Sequence, residues 1–214
     1  MTTQTAIRVT RGGHRFYVID GAEYESVTTA LSIVRNSQLE HWRGDVGNDE
    51  ADRIRDEAAS LGTLVHAAAA DPAAYDLSAI SGDESELAQI VAAYREWSAR
   101  YVERVISVEQ MVVSRKYRYA GTPDAIVVMK GDTLPTLIDI KTSKAIWKTF
   151  DLQTAAYWGA LAETGIQCGR RLILRLGKGD DAGRYWTKEY GDHQSTFVKF
   201  VYCLSLYRFM RNGA

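Results

Sequence analysis

Gly121-Thr122-Pro123-Asp124 is followed, fifteen residues after its acid, by Asp139-Ile140-Lys141. Short apolar runs carry both motifs: Ala125 to Met129 follows the first acid, and Leu137-Ile138 leads into the second. Residues 139 and 141 are two apart, so on a strand they point to the same face. An acid and a lysine then share one side of a sheet, with a second acid supplied by the neighbouring strand. Two carboxylates make a hard oxygen site of the kind Mg²⁺ or Mn²⁺ accepts. A lysine beside them can hold or polarise a water, or steady the charge that develops on a phosphate. This is the equipment for metal-assisted phosphodiester cleavage.

The elements that must position these residues can be read from periodicity. Arg15–Ile19 and Tyr24–Val27 form a hairpin across the Asp20-Gly21 turn. Ser26 or Thr28 caps a helix running through Leu31, Val34 and Leu39 to Trp42, and residues 44–50 are a loop. Helical spacing resumes over 51–70, with Ile54, Ala58, Leu61, Val65 and Ala69 on one face. Asp71-Pro72 stops it, and 73–83 is an irregular link. A second long helix spans Glu84 to about Arg104. Short strands follow around Ile106–Val113 and Arg115–Tyr119, then at 123–129 and 136–142. The last two are joined by a short turn and so are antiparallel neighbours. A helix from Phe150 to Glu163, strands at Arg171–Leu176 and Tyr185–Tyr190, and a helix from Ser195 to Met210 complete the chain. The closing helix carries an apolar stripe of Phe197, Phe200, Val201, Leu204 and Tyr207. The fold class is therefore α/β (α+β): a mixed central β-sheet containing a three-strand antiparallel meander, flanked by helices.

Bulk properties narrow the function classes. A chain of 214 residues, 46% hydrophobic and 25% charged, supports one sizeable core, and we expect a single domain over 1–214. Within it, 1–50 is a hairpin-and-helix extension and 51–214 the core. No apolar run approaches the roughly 18 residues of a membrane span, so no membrane partner is expected. The start, Met1 to Thr5, lacks a secretory signal, which points to an intracellular bacterial or phage-encoded protein. A net charge of -1 excludes a uniformly basic protein but leaves room for a local basic path. Cys168 and Cys203 are too few for a disulfide framework and are read as reduced.

Further residues complete an ordered set. His66 ends Gly62-Thr63-x-x-His66 on a helix, Glu109 lies near the start of the meander, and Gln153 and Tyr157 are four apart on one helix face. Taken in order, His66, Glu109, Gly121-x-x-Asp124, Asp139-x-Lys141 and Gln153-x-x-x-Tyr157 resemble the RecB-like exonuclease branch of the PD-(D/E)XK nuclease superfamily. Tyr24-x-Ser26-Val27-Thr28 adds to the likeness, which spans roughly residues 24–160. The resemblance implies a restriction-endonuclease-like core. It implies His66, Asp124 and Asp139 as metal ligands, with the Ile140 backbone carbonyl beside them and Lys141 as the motif lysine. It implies Gln153 and Tyr157 as residues that position the site and the strand. Glu109 is either a further residue near the metal or a strand-end charge. CRISPR-associated relatives hold an iron–sulfur cluster on four cysteines. Two cysteines cannot do so, and the cluster-free phage or mitochondrial type is the better likeness.

Arg115, Lys116, Arg118, Lys144 and Lys148 are candidates for phosphate contacts, with Arg170, Arg171, Arg175 and Lys178 a second group. The resemblance implies an exonuclease acting on DNA that is single-stranded or has single-stranded ends, in replication, recombination or repair. The residues themselves fix neither polarity nor the number of metal ions. No Gly-x-x-x-x-Gly-Lys-Ser/Thr loop is present, so any ATP-driven unwinding falls to a helicase or recombination partner. A non-catalytic nucleic-acid-binding module on the same fold, or an assembly protein, stays open as an alternative.

Overall fold

The computed structural model describes residues 6–34, 40, 44–54, 62–63, 66 and 83–212. The expected helical positions Leu39, Trp42, Ala58, Leu61, Val65 and Ala69, the Asp71-Pro72 stop and most of the 73–83 link lie outside them. The strands are β1 (Ala6–Arg11), β2 (His14–Ile19), β3 (Ala22–Ser26), β4 (Val102–Val108), β5 (Val112–Ser114), β6 (Tyr119–Gly121), β7 (Ala125–Met129), β8 (Thr136–Lys141), β9 (Arg170–Leu176) and β10 (Tyr185–Tyr190). Among the described residues the labelled helices are α1 (Val27–Ala30), which tightens into a 3₁₀ turn at Leu31–Ile33, then α2 (Asp83–Tyr101), α3 (Lys148–Glu163) and α4 (His193–Asn212). The architecture is mixed α+β. No helix among the described residues is long and apolar enough to cross a membrane.

Two mixed sheets share the strands, in the orders β1-β2-β3-β6-β5 and β10-β9-β8-β7-β4. In the second, β4, β7 and β8 are antiparallel neighbours, β8 and β9 run parallel, and β10 returns antiparallel. The expected three-strand unit is thus present, but its strands are not consecutive. The chain leaves after β4, builds β5 and β6 into the other sheet, and comes back as β7. The single strand read over 106–113 breaks at Glu109, whose φ of +45° is left-handed and cannot continue a strand. The strand read at Arg115–Tyr119 is a turn up to Arg118 (φ +54°).

Other boundaries also differ. The second long helix stops at Tyr101, because Val102 and Arg104 pair with Met129 and Val128 of β7 instead. Residues 44–46 and 48–50 are helical on either side of Gly47 (φ +85°), where a loop was expected, and 51–54 are helical as the spacing predicts. The helix after β3 ends by Ile33, and the Ser26 hydroxyl bonds Thr28 Oγ1 at 2.9 Å instead of capping a backbone N–H.

Alternation along β7, β8 and β9 assigns the two faces of the second sheet. Ala125, Val127, Met129, Ile138, Ile140, Leu172 and Leu174 pack with Leu87, Ile90, Val91 and Trp97 of α2. Ile126 and Leu137 face the other way, into a cluster with Ala155, Tyr157, Ala160 and Leu161 of α3 and Phe197, Phe200 and Leu204 of α4. The same cluster includes Val112 and Tyr119 of the first sheet, so α3 lies along the seam between the sheets. Close packing there depends on Gly159, where a Cβ would sit 2.2 Å from the Phe197 ring. Arg208 of α4 ties the layers together through Glu25 and the carbonyls of Tyr117 and Arg118.

Arg171, grouped by sequence with the phosphate-binding candidates, is a fully buried structural charge. Its Nη1 meets Asp151 Oδ1 at 2.7 Å and Thr154 Oγ1 at 3.0 Å, and its Nε meets His193 Nδ1 at 3.0 Å. Removing one partner of a buried pair leaves the other uncompensated. Arg171→Ala is expected to lower the unfolding free energy by about 3–5 kcal/mol, read from urea denaturation.

Candidate active site

Strand β8 presents Asp139 and Lys141 on the face covered by α3. Asp139 is 1% exposed, and Lys141 Nζ lies 2.7 Å from its Oδ2. The ammonium ion-pairs with this buried oxygen. The other oxygen, Oδ1, accepts from Gln153 Nε2 at 2.9 Å. The same amide donates to the Tyr157 hydroxyl at 3.0 Å, which uses both of its protons and fixes its orientation. The helical spacing of 153 and 157 makes this pair possible. The Lys141 ammonium also stands 4.9 Å from the centre of the Phe150 ring, one helical turn before Gln153.

Asp124 reaches the site from the bend between β6 and β7. Its Oδ2 accepts from the Ile140 N–H at 2.5 Å, and its Oδ1 lies 2.8 Å from His66 Nδ1. Ile140 therefore enters through its N–H. The Asp124 carbonyl accepts from the Glu109 N–H at 3.0 Å, so the left-handed bend that ends β4 also braces the acid. The Glu109 side chain is exposed, yet it lines one small cavity together with His66, Tyr94, Asp124 and Ile140.

The glycine of the first motif has a steric reason. A Cβ on Gly121 would sit 2.3 Å from Cε1 of Tyr157 and 3.1 Å from Val27 Cγ2. The missing side chain is what lets the α3 motif lie against β6. Thr122 adds a hydroxyl contact to Tyr17 Oη of β2 at 3.3 Å.

Burial pushes the Asp139 carboxyl up to about 6, with Asp124 adding to the rise and Lys141 opposing it. For His66, burial works against the charged ring, but the hydrogen bond and charge of Asp124 outweigh it and the pKa is raised. Burial, helped by the charge of Asp139, raises the Tyr157 hydroxyl well above its ordinary value, so it stays neutral.

The phosphate candidates are dispersed. Arg115 pairs with Asp20 at 3.0 Å, Lys116 stands over Tyr117, and Arg118 bonds the Glu23 carbonyl. The Lys116 N–H meets Glu163, ten residues along α3 from Gln153 and so roughly 15 Å away. Lys144 and Lys148 are exposed at the other end, where the chain leaves β8 and enters α3. Arg170 pairs with Asp132, and Arg175 with Asp181. Sequence reading missed Phe150 and Tyr94 as parts of the site. Phe150 was detectable, since it precedes Gln153 by three on the same helix face.

No family model matches the chain, and no curated protein matches it. Among solved structures, the crystal structure of SSO0001 is similar at a TM-score of 0.38 and 15% identity, over 86% of this chain and 75% of that one. The site is read from its own residues.

Those residues are hard carboxylate oxygens, the donor type that suits Mg²⁺ or Mn²⁺, and an imidazole, a softer donor that suits transition metals. Among the described residues no three His, Cys, Asp or Glu side chains converge as a ready-made cage. The acids are instead compensated internally, Asp124 by His66 and Asp139 by Lys141. Oδ2 of Asp139 has the Lys141 ammonium as its partner, and a cation there would compete with that group.

The two shifts act together on stability. An acid raised from 3.8 to about 6 destabilises the fold as it ionises, and a raised histidine loses its contribution as pH rises past 6.5. In the metal-free protein the Asp139 contribution therefore falls between about pH 4 and 6, and the His66 contribution falls as pH rises above 6.5. A cation competes with the same protons, so its stabilisation grows over these ranges. Thermal melts in EDTA and in Mn²⁺ are expected to differ little at pH 5 and to separate above pH 7, with the separation lost in Asp139→Ala.

Proposed function

We propose that this chain is a divalent-metal-dependent deoxyribonuclease of the PD-(D/E)XK type, built on a restriction-endonuclease-like core. The observation that carries the reading is the buried Asp139 held between Lys141 at 2.7 Å and Gln153 at 2.9 Å, with Asp124 bonded to the intervening Ile140 N–H. An isolated carboxylate this buried is costly, and apolar substitution would relieve the cost. A site kept at that cost suits a task in chemistry better than one in packing.

His66, Asp124 and Asp139 are the residues that would hold Mg²⁺ or Mn²⁺. A bound cation supplies a water of lowered pKa and charge for the scissile phosphate. Lys141 orients the attacking water or steadies the charge gathering on the phosphate oxygens. Gln153 and Tyr157 keep Asp139 from turning. Phe150, Trp147 and Thr28 border an open groove beside Gln153 that gives a strand access. Attack in line with the P–O3′ bond leaves a 5′-phosphate. The substrate we favour is DNA with single-stranded ends, degraded as an exonuclease would.

Lys141→Ala and Asp124→Asn are each expected to cut the cleavage rate at least about 10²-fold while leaving the melting cooperative. The assay is digestion of 5′- and 3′-labelled single-stranded and duplex DNA in Mg²⁺, Mn²⁺ or EDTA. Undiminished cleavage by both variants would move the chemistry elsewhere. Binding that persists in EDTA, with no cleavage in either metal, would instead make the chain a binding module.

A further inference from the structure

A second groove lies beside the proposed site and takes no part in the chemistry above. It has a volume of about 570 Å³, and three lysines from three elements border it: Lys148 of α3, Lys188 of β10 and Lys199 of α4. Trp147 and Tyr190 form aromatic walls. All three lysines are exposed, and among the described residues none has a carboxylate partner. The one acid in the lining, Asp151, is already neutralised by Arg171 at 2.7 Å. The groove is thus a concentration of uncompensated positive charge on a chain whose net charge is -1.

Its position relative to Asp139 follows from strand register. Asp139 pairs with Ile173, and Ile173 pairs with Lys188, so the three lie in one row across β8, β9 and β10. Directly paired residues project to the same face. Lys188 is therefore on the face of Asp139, two strand spacings or roughly 10 Å away. Trp147 borders both this groove and the one beside Gln153, so the two meet at the start of α3.

We infer that the Lys148–Lys188–Lys199 groove binds the sugar-phosphate backbone of a single nucleic-acid strand on its way to or from Asp139, with Trp147 stacking a base at the junction. The inference rests on the nuclease reading for the direction of the strand. Charge selects a polyanion, and a flat aromatic ring between the two grooves suits an unpaired base better than a folded protein surface.

The test measures binding of a fluorescent 20-nucleotide oligo-dT in EDTA across a salt series, for wild type, Lys188→Glu/Lys199→Glu and Trp147→Phe. Each phosphate contact on a single strand contributes about 0.7 to the slope of log affinity against log salt. The double variant is expected to weaken binding about tenfold and to flatten the slope by about 1.4. Quenching of tryptophan fluorescence by the oligonucleotide should shrink in Trp147→Phe. In Mn²⁺, loss of cleavage by the double variant should appear in KM, whereas Lys141→Ala should lose kcat. An affinity and slope equal to wild type, in a double variant with a native melting curve, would overturn the groove while leaving the nuclease reading intact. If wild type cleaves nothing but the lysine variants still weaken binding, the groove stands and the nuclease reading falls. Stronger loss of binding to anionic lipid vesicles than to oligo-dT would also overturn the strand assignment.

Discussion

Asp139 is the constraint around which this protein is arranged. A carboxylate 1% exposed has lost its hydration, and the fold must return what water supplied. Lys141 supplies charge on one side and Gln153 a hydrogen bond on the other. Each helper needs a support of its own. Gln153 is set by Tyr157, Tyr157 by the space above Gly121, and Lys141 by the Phe150 ring. Strand β8, helix α3 and strand β6 are thereby fixed to one another through a single acid. At Oδ2 the compensation comes from the Lys141 ammonium.

The two acids are held by different means. Asp139 is enclosed, and burial governs its proton affinity. Asp124 is fastened at three points, through its carboxylate to the Ile140 N–H and to His66, and through its carbonyl to the Glu109 N–H. One carboxylate is poised by its surroundings and the other by its bonds.

Much of this was legible in the sequence, and what was not has identifiable causes. The period-two pattern from Thr136 to Lys141 placed Asp139 and Lys141 on one face, and the four-residue spacing of Gln153 and Tyr157 placed both on one side of α3. The apolar runs of β7 and β8 and their short connection gave the antiparallel pair. The split of 106–113 into strands of different sheets was hidden, because nothing in Ser107-Val108-Glu109-Gln110 announces a positive φ at a glutamate. Arg171 read as a surface cation because composition cannot show that Asp151 and His193 converge on it from elsewhere in the chain. The parallel pairing of β3 with β6 was equally invisible, since register between distant segments leaves no local pattern.

That pairing has a consequence for how the molecule comes to be made. The first sheet closes only when Glu25 and Ser26 meet Tyr119 and Ala120, across everything from residue 27 to residue 118. The β1–β2–β3 meander is local and assembles quickly, but its partner strand must be synthesised and delivered before the sheet exists. The bend carrying Asp124 begins immediately after that late-arriving strand, and Tyr17 of the early meander touches Thr122 within it. Asp124 and Asp139 themselves meet through the short β7–β8 hairpin, so the two acids can come together early, while the sheet that braces the Asp124 bend from its other side closes late.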